Sequence, residues 1–142
     1  MKAKGGRRKE ESNEGGRMED ERRVPEDLKS RTKRFALQII RLYSALPKAT
    51  EAQVLGKHIL RSGTSVGAHY REAIGGQSEK DFTAKMRIAY KEAQETHYWL
   101  RLLNDGGLIE ESVFSSIIHD CDELLKLLGS ITKTMKGKIR NS

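Results

Sequence analysis

Apolar residues in this chain recur every three or four positions along four separate stretches, divided by short breaks that carry proline or glycine. That period is the repeat of an α-helix. No useful length of the sequence alternates with the period of two that a half-buried strand requires. In the first stretch Leu28, Phe35, Ile39, Leu42 and Leu46 fall on one face, and Pro47 stops the helix. The second runs from about Glu51 to Ile74, places Leu55, Ile59, Ser62, Val66 and Ala73 together, and ends at Gly75-Gly76. The third opens with Ser78, whose hydroxyl is spaced to form a capping box with Asp81. Its stripe is Phe82, Met86, Ala89, Ala93, Leu100 and Leu103, closed by Asp105-Gly106-Gly107. The fourth carries Phe114, Ile117, Cys121, Leu124, Leu128, Ile131 and Met135. The expected fold class is all-α, an antiparallel up-down-up-down four-helix bundle, because long helices on short connections lie beside their sequence neighbours.

A length of 142 residues holds one such core and no second one. Residues 1–24 stand apart, since beyond Met1 itself Ala3, Met18 and Val24 are their whole apolar supply and Gly5-Gly6, Gly15-Gly16 and mixed charge blocks fill the rest. Such a segment cannot bury enough surface to offset its ordering entropy, so a disordered N-terminal segment is expected, with Met18 as an alternative native start. The bundle is expected over residues 25–135 and a basic C-terminal tail over 136–142. The third helix carries more apolar surface than a thin bundle core needs, with Tyr90, Tyr98, Trp99 and Leu102 beside its main stripe. Surplus apolar faces predict burial against further copies, hence a homo-oligomer.

Several chemistries are excluded on spacing. The single cysteine, Cys121, rules out a disulfide framework and any multi-cysteine zinc site, and its place between Ile117 and Leu124 makes it a small core residue. Residues Leu55, Val66, Gln94 and Ser116 stand three before the four histidines, so no Glu-x-x-His pair exists, and neither does H-E-x-x-H. No metal and no cofactor is expected. His119 with Asp120, Asp122 and Glu123 reads as a solvated face. No apolar run approaches the ~18 residues of a membrane span, and the N-terminus has no apolar signal core, so a cytoplasmic location is expected.

The charge balance is more informative. There are 27 Lys and Arg against 20 Asp and Glu, a formal charge of +7, of which residues 1–24 supply +2. The folded part is therefore basic in its own right, which favours an anionic partner such as nucleic acid. Lys133, Lys136, Lys138 and Arg140 form an acid-free run that reads either as a frayed helix end complementing the macrodipole or as an arm for phosphates.

The segment from Arg61 to Glu72 breaks the local rules. Two glycines and three hydroxyl residues sit in mid-helix, and each glycine costs about 1 kcal/mol relative to alanine. Helical spacing sets Gly56, Gly63 and Gly67 on one strip beside the apolar face, where they would let a neighbouring helix approach closely. A phosphate-cradling loop is the weaker reading, because Gly56-Lys57-His58 lacks both the earlier glycine and the hydroxyl of a P-loop. Beside the glycines run His58, Arg61, Ser65, His69 and Glu72, and the third helix offers Glu92, Glu95, Thr96 and His97. A structural polar network of Arg61, Ser65, His69, Glu72, Glu92 and Glu95 that fixes helix register is expected ahead of acid–base catalysis by His69, Glu72 and Glu95.

Two blocks carry a resemblance. Leu60-Arg61-Ser62-Gly63-Thr64-Ser65-Val66-Gly67-Ala68-His69-Tyr70-Arg71-Glu72-Ala73 resembles the R-S-G-T-S-V-G-A-N-Y-R-E-A signature of the 23S rRNA intervening-sequence proteins. Ser78-Glu79-Lys80-Asp81-Phe82, Lys85 to Ala93 and Glu95 to Leu100 are similar to that family's second block. His69 departs from the pattern, which has Asn there. The resemblance implies a four-helix bundle assembled as a ring-like homopentamer. It also implies kinship with the accessory variability protein of diversity-generating retroelements, a basic pentameric barrel that binds nucleic acid and a reverse transcriptase. The function expected is therefore a non-enzymatic oligomer that binds nucleic acid, RNA or a ribonucleoprotein, as an accessory to a reverse transcriptase. Its contacts would be Lys33, Arg34 and Arg41 on the first helix, Lys57 and Arg71 on the second, and Lys133, Lys136, Lys138 and Arg140 at the end. The alternative is a protein-interaction scaffold with no nucleic-acid role.

Overall fold

The structure is a computed structural model that describes the backbone of residues 20–141 and the side chains of residues 28–135. All regular structure among the described residues is helical: α1 (Asp20–Ser44), α2 (Thr50–Ile74), α3 (Glu79–Asp105) and α4 (Glu111–Asn141). α1 therefore begins within the segment set apart on composition, while residues 1–19, Met18 among them, lie outside the described residues. α4 likewise continues through the stretch expected as a tail, and the side chains of Lys136, Lys138 and Arg140 lie outside the described ones.

The breaks act through local chemistry. α1 ends at Ser44, ahead of Pro47, which has no amide hydrogen with which to continue the ladder. Ser78 caps α3 by accepting from the Asp81 amide at 3.0 Å. After α3 the chain turns through Gly107 at φ 73, a left-handed conformation that glycine adopts without strain. No helix among the described residues is long and apolar enough to cross a membrane.

Each helix packs on its sequence neighbour, and α4 returns to α1 to close the set, with this last seam the most sparsely packed among the described residues. Among those residues the backbones of diagonal helices do not come close. All five residues of the α1 stripe are buried in the shared core, as are Ile59, Val66, Met86, Leu100, Leu124 and Leu128. Leu55, Phe82, Phe114 and Ile131 pack against that core only partly buried, because each sits near the edge of its stripe. Tyr70, four residues after Val66, is the largest fully buried side chain. Cys121 lies in the α3–α4 seam with its thiol directed at the Ala93 carbonyl, 3.6 Å away.

The seam between α1 and α2 is set by glycine. A Cβ on Gly56 would lie 2.5 Å from Leu46 Cδ1 and 2.8 Å from Tyr43 Cδ1, and one on Gly63 would lie 2.8 Å from Ile39 Cγ1. At Gly67 the nearest atom, Thr32 Cβ, would be 3.1 Å away. α1 thus rests on the bare backbone of α2, so dispersion contacts across this seam offset the helix-propensity cost of the glycines.

Candidate nucleic-acid interface

Charge is distributed unevenly over the helices. From Leu28 to Thr50 the chain carries six basic residues and no acid, whereas from Leu108 to Leu125 it carries five acids and neither Lys nor Arg. From Leu28 onward α1 therefore carries basic residues and no acid. Lys33, Arg34, Arg41, Lys57 and Arg71 are all exposed, and none of them joins an ion pair among the described residues. An unpaired guanidinium or ammonium keeps its full capacity to displace counterions from a polyanion.

Geometry divides these cations. Lys33 on α1 and Arg71 in the last turn of α2 line one groove, with Ala36, Thr64, Gly67 and Ala68 between them. The groove exists because the Gly67 contact draws the helices together while the flanking side chains remain small. Arg71 also complements the negative end of the α2 macrodipole, which holds it near the groove mouth. Arg34 and Arg41 face the other way and line recesses between α1 and α4. Lys57 stands alone on the outer face of α2, and Lys133 is exposed towards the end of α4. The structure thus brings two of the expected contact residues into one groove and separates the rest.

Glu92 and Glu95 of α3 are committed elsewhere. Arg61 Nη2 donates to Glu95 Oε2 at 2.7 Å, and Nη1 donates to Glu92 Oε1 at 3.2 Å. The Trp99 indole N–H also donates to Glu95 Oε2, at 3.1 Å, while the Trp99 ring stacks on His58 with centroids 4.4 Å apart. The Arg61 guanidinium, with the Trp99 N–H beside it, holds the Glu95 carboxyl below the usual carboxylate range. Arg61 is correspondingly raised, chiefly by the same hydrogen bond. Beneath this pair, Thr96 Oγ1 lies 2.8 Å from Ser62 Oγ, which itself donates to the His58 carbonyl at 2.9 Å.

The other half of the expected network is not part of this cluster. Ser65 Oγ donates to the Arg61 carbonyl at 2.7 Å, and His69 Nδ1 lies 3.0 Å from the Ser65 carbonyl. Both side chains bond the preceding turn of their own helix, as short polar groups in mid-helix commonly do. Glu72 pairs with Lys85 at 3.5 Å, about three turns away from Glu95. His69, Glu72 and Glu95 therefore have three separate partners and form no common site. Asp122 pairs with His97 and Glu123 with Lys126, and no group of three His, Cys, Asp or Glu among the described residues is placed to hold a metal ion.

Spacing alone does not reveal the His58–Trp99 stack. His58 reads as part of a polar strip and Trp99 as part of a surplus apolar face. Their meeting depends on the register between two helices. The signal that links them is the shared register with Arg61 and Glu95, since each partner lies one turn from its neighbour in the pair.

The fold has counterparts. A family model described as the 23S rRNA-intervening sequence protein matches residues 27–130. A crystal structure of a protein of unknown function from the S23 ribosomal protein family, from Bacteroides thetaiotaomicron, superposes with a TM-score of 0.73 at 44% identity, covering 78% of this chain and 98% of that one. No curated protein matches the sequence. With both signature blocks inside the matched span, and four helices packed as that span requires, the chain belongs to the 23S rRNA-intervening sequence protein family.

Proposed function

We propose that this protein is a non-enzymatic homo-oligomeric bundle that binds nucleic acid, RNA or a ribonucleoprotein, through the surface of α1 and its groove with α2. The observation that carries this reading is the acid-free run from Leu28 to Thr50, whose exposed Lys33 shares a groove with the unpaired Arg71. Such a surface contacts phosphates and reads little sequence. Helices in the proposed protomer run up-down-up-down. Residues 61 and 95 meet across α2–α3, as do 72 and 85, so numbering rises on one helix as it falls on the other. Residues 90 and 129, and 93 and 121, meet across α3–α4 in the same sense.

Five such protomers in a ring are the assembly proposed, and the exposed Tyr98 and Ile88 on α3 are apolar surface that an assembly would cover. In a ring each basic groove is repeated, so weak phosphate contacts add through avidity. A reverse transcriptase is the proposed protein partner, cytoplasmic like the bundle itself.

The test is fluorescence anisotropy of labelled single-stranded RNA and duplex DNA, titrated with the full chain across a salt series. Affinity that falls steeply with salt is expected, with a log–log slope near 0.7–0.9 per phosphate contacted. The Lys33→Glu/Arg71→Glu variant should lower both the affinity and the slope. Flat titrations at low salt would remove the reading for the protein alone and bring the scaffold reading forward.

A further inference from the structure

The recesses between α1 and α4 are not absorbed by the reading above. One is lined by Arg31, Arg34, Gln38, Asp120 and Leu124, and the other by Gln38, Arg41, Leu42, Val113 and Ile117 among its walls. Gln38 borders both, so they follow one another along α1 from Arg31 to Ala45 as a trough that is open at Arg41 and narrows to a water-sized recess beside Arg34. At 1.5 Å per residue that trough is about 21 Å long. We infer that this trough docks an acidic amphipathic helix of a partner protein, its apolar face on Leu42, Val113 and Ile117 and its carboxylates at Arg34 and Arg41.

Three features of the trough select that occupant. Its floor is apolar, and Val113 at its edge is 43% exposed, an arrangement that excludes water only when another apolar surface lies on it. Its α1 rim carries Arg34 and Arg41, neither in an ion pair among the described residues, and guanidinium groups favour bidentate pairing with carboxylates. Asp120 lies on the opposite wall of the upper recess and keeps the ligand's acids on the α1 side. In its middle, Gln38 lines both recesses and sets a polar side chain between Arg34 and Arg41. A polar side chain at the centre of the docked helix is matched to that point.

A nucleic-acid strand fits this trough less well than the α1–α2 groove. Unpaired bases stack on aromatic rings, and none lines the trough. A helix lying between two helices, anchored by apolar residues at every third or fourth position, matches the shape and the length.

The probe is a fluorescein-labelled synthetic peptide of about fifteen residues, with Leu at helical spacing, Glu between, and one central Asn. A peptide of the same composition in scrambled order is the control. Anisotropy with the full chain at about 0.15 M salt should show saturable binding of the patterned peptide, at least about tenfold tighter than the scramble. Arg34→Glu/Arg41→Glu and, separately, Val113→Asp should each weaken it about tenfold or more while far-UV circular dichroism stays unchanged. Lys33→Glu/Arg71→Glu, on the other groove, should leave peptide binding unchanged whether or not it affects RNA. Equal binding of both peptides, or indifference to the trough variants, would overturn the inference. Displacement of the peptide by single-stranded RNA would assign the trough to nucleic acid. Disulfide cross-linking of Ser116→Cys protomers that blocks the peptide would assign it to a second copy.

Discussion

α1 meets two neighbours in opposite ways. Against α2 it lies on bare backbone, because Gly56, Gly63 and Gly67 present no Cβ and the side chains of Tyr43, Leu46, Ile39 and Thr32 occupy that space. Against α4 it makes, among the described residues, the sparsest seam of the bundle and leaves recesses beside a buried Gln38 oxygen with no hydrogen-bond partner there. One helix is thus clamped on one side and loosely seated on the other. The lesson is that mid-helix glycine, unfavourable by propensity, marks where a fold has chosen closeness. Where no such residue stands opposite, the surface stays available for something else.

The contrast breaks most readily by filling one side. Gly63→Val should force Ile39 out of its place, costing about 2–3 kcal/mol by overpacking. That lowers the Tm by roughly 10 °C in a calorimetric scan. Ser116→Val, in the open seam, should change stability by no more than about 0.5 kcal/mol. Equal losses at the two sites would end the comparison.

Relieving the loose seam should act in the other direction. Gln38→Met keeps the side-chain length and removes the unpartnered oxygen, so thermal unfolding should show a gain of about 1 kcal/mol. A loss would mean that the amide has a partner in solution.

On the far side of α2, Thr96→Val removes the donor to Ser62 in a buried pair and should cost about 1 kcal/mol in urea unfolding. The smallest effect belongs to Glu95. Its carboxyl titrates lower in the folded chain than in the unfolded one, so its contribution is present above the unfolded value and is lost as pH falls through the folded value. Glu95 and Arg61 are both well exposed, so solvent screening limits the effect to a few tenths of a kcal/mol. The stability difference between the native chain and Glu95→Gln should be measurable near pH 7 and vanish at pH below the ordinary carboxylate range. A difference that grows on acidification would refute the ion pair's role.

What the sequence makes legible follows from what periodicity contains. A stripe such as Leu28, Phe35, Ile39, Leu42 and Leu46 specifies a buried face from one helix alone, and all five are buried. Pro47, Ser78 and Gly107 act within a few residues, so the helix ends were readable too. Register between helices is a different quantity. Arg61 opposite Glu92 and Glu95 is guessable from opposite charge, but Ser65 and His69 compete for backbone carbonyls one turn away and never reach α3. Tyr70, four residues after Val66 and three before Ala73, stands on the same face by spacing and is buried with them. The division of the α1 cations between two grooves is a property of the packed bundle, invisible in a list of basic residues.

Cys121 offers one more consequence. It is the sole thiol in the chain, fully enclosed between α3 and α4, and burial pushes it up to about 12. A thiol in that state does not react with alkylating reagents while the seam is shut, since the thiolate is the reactive form. Labelling therefore proceeds only through openings of that seam, and its rate is a clock for local unfolding. Run with and without a bound ligand on α1, the clock would time how far stabilisation at one edge of the bundle spreads to the helices opposite.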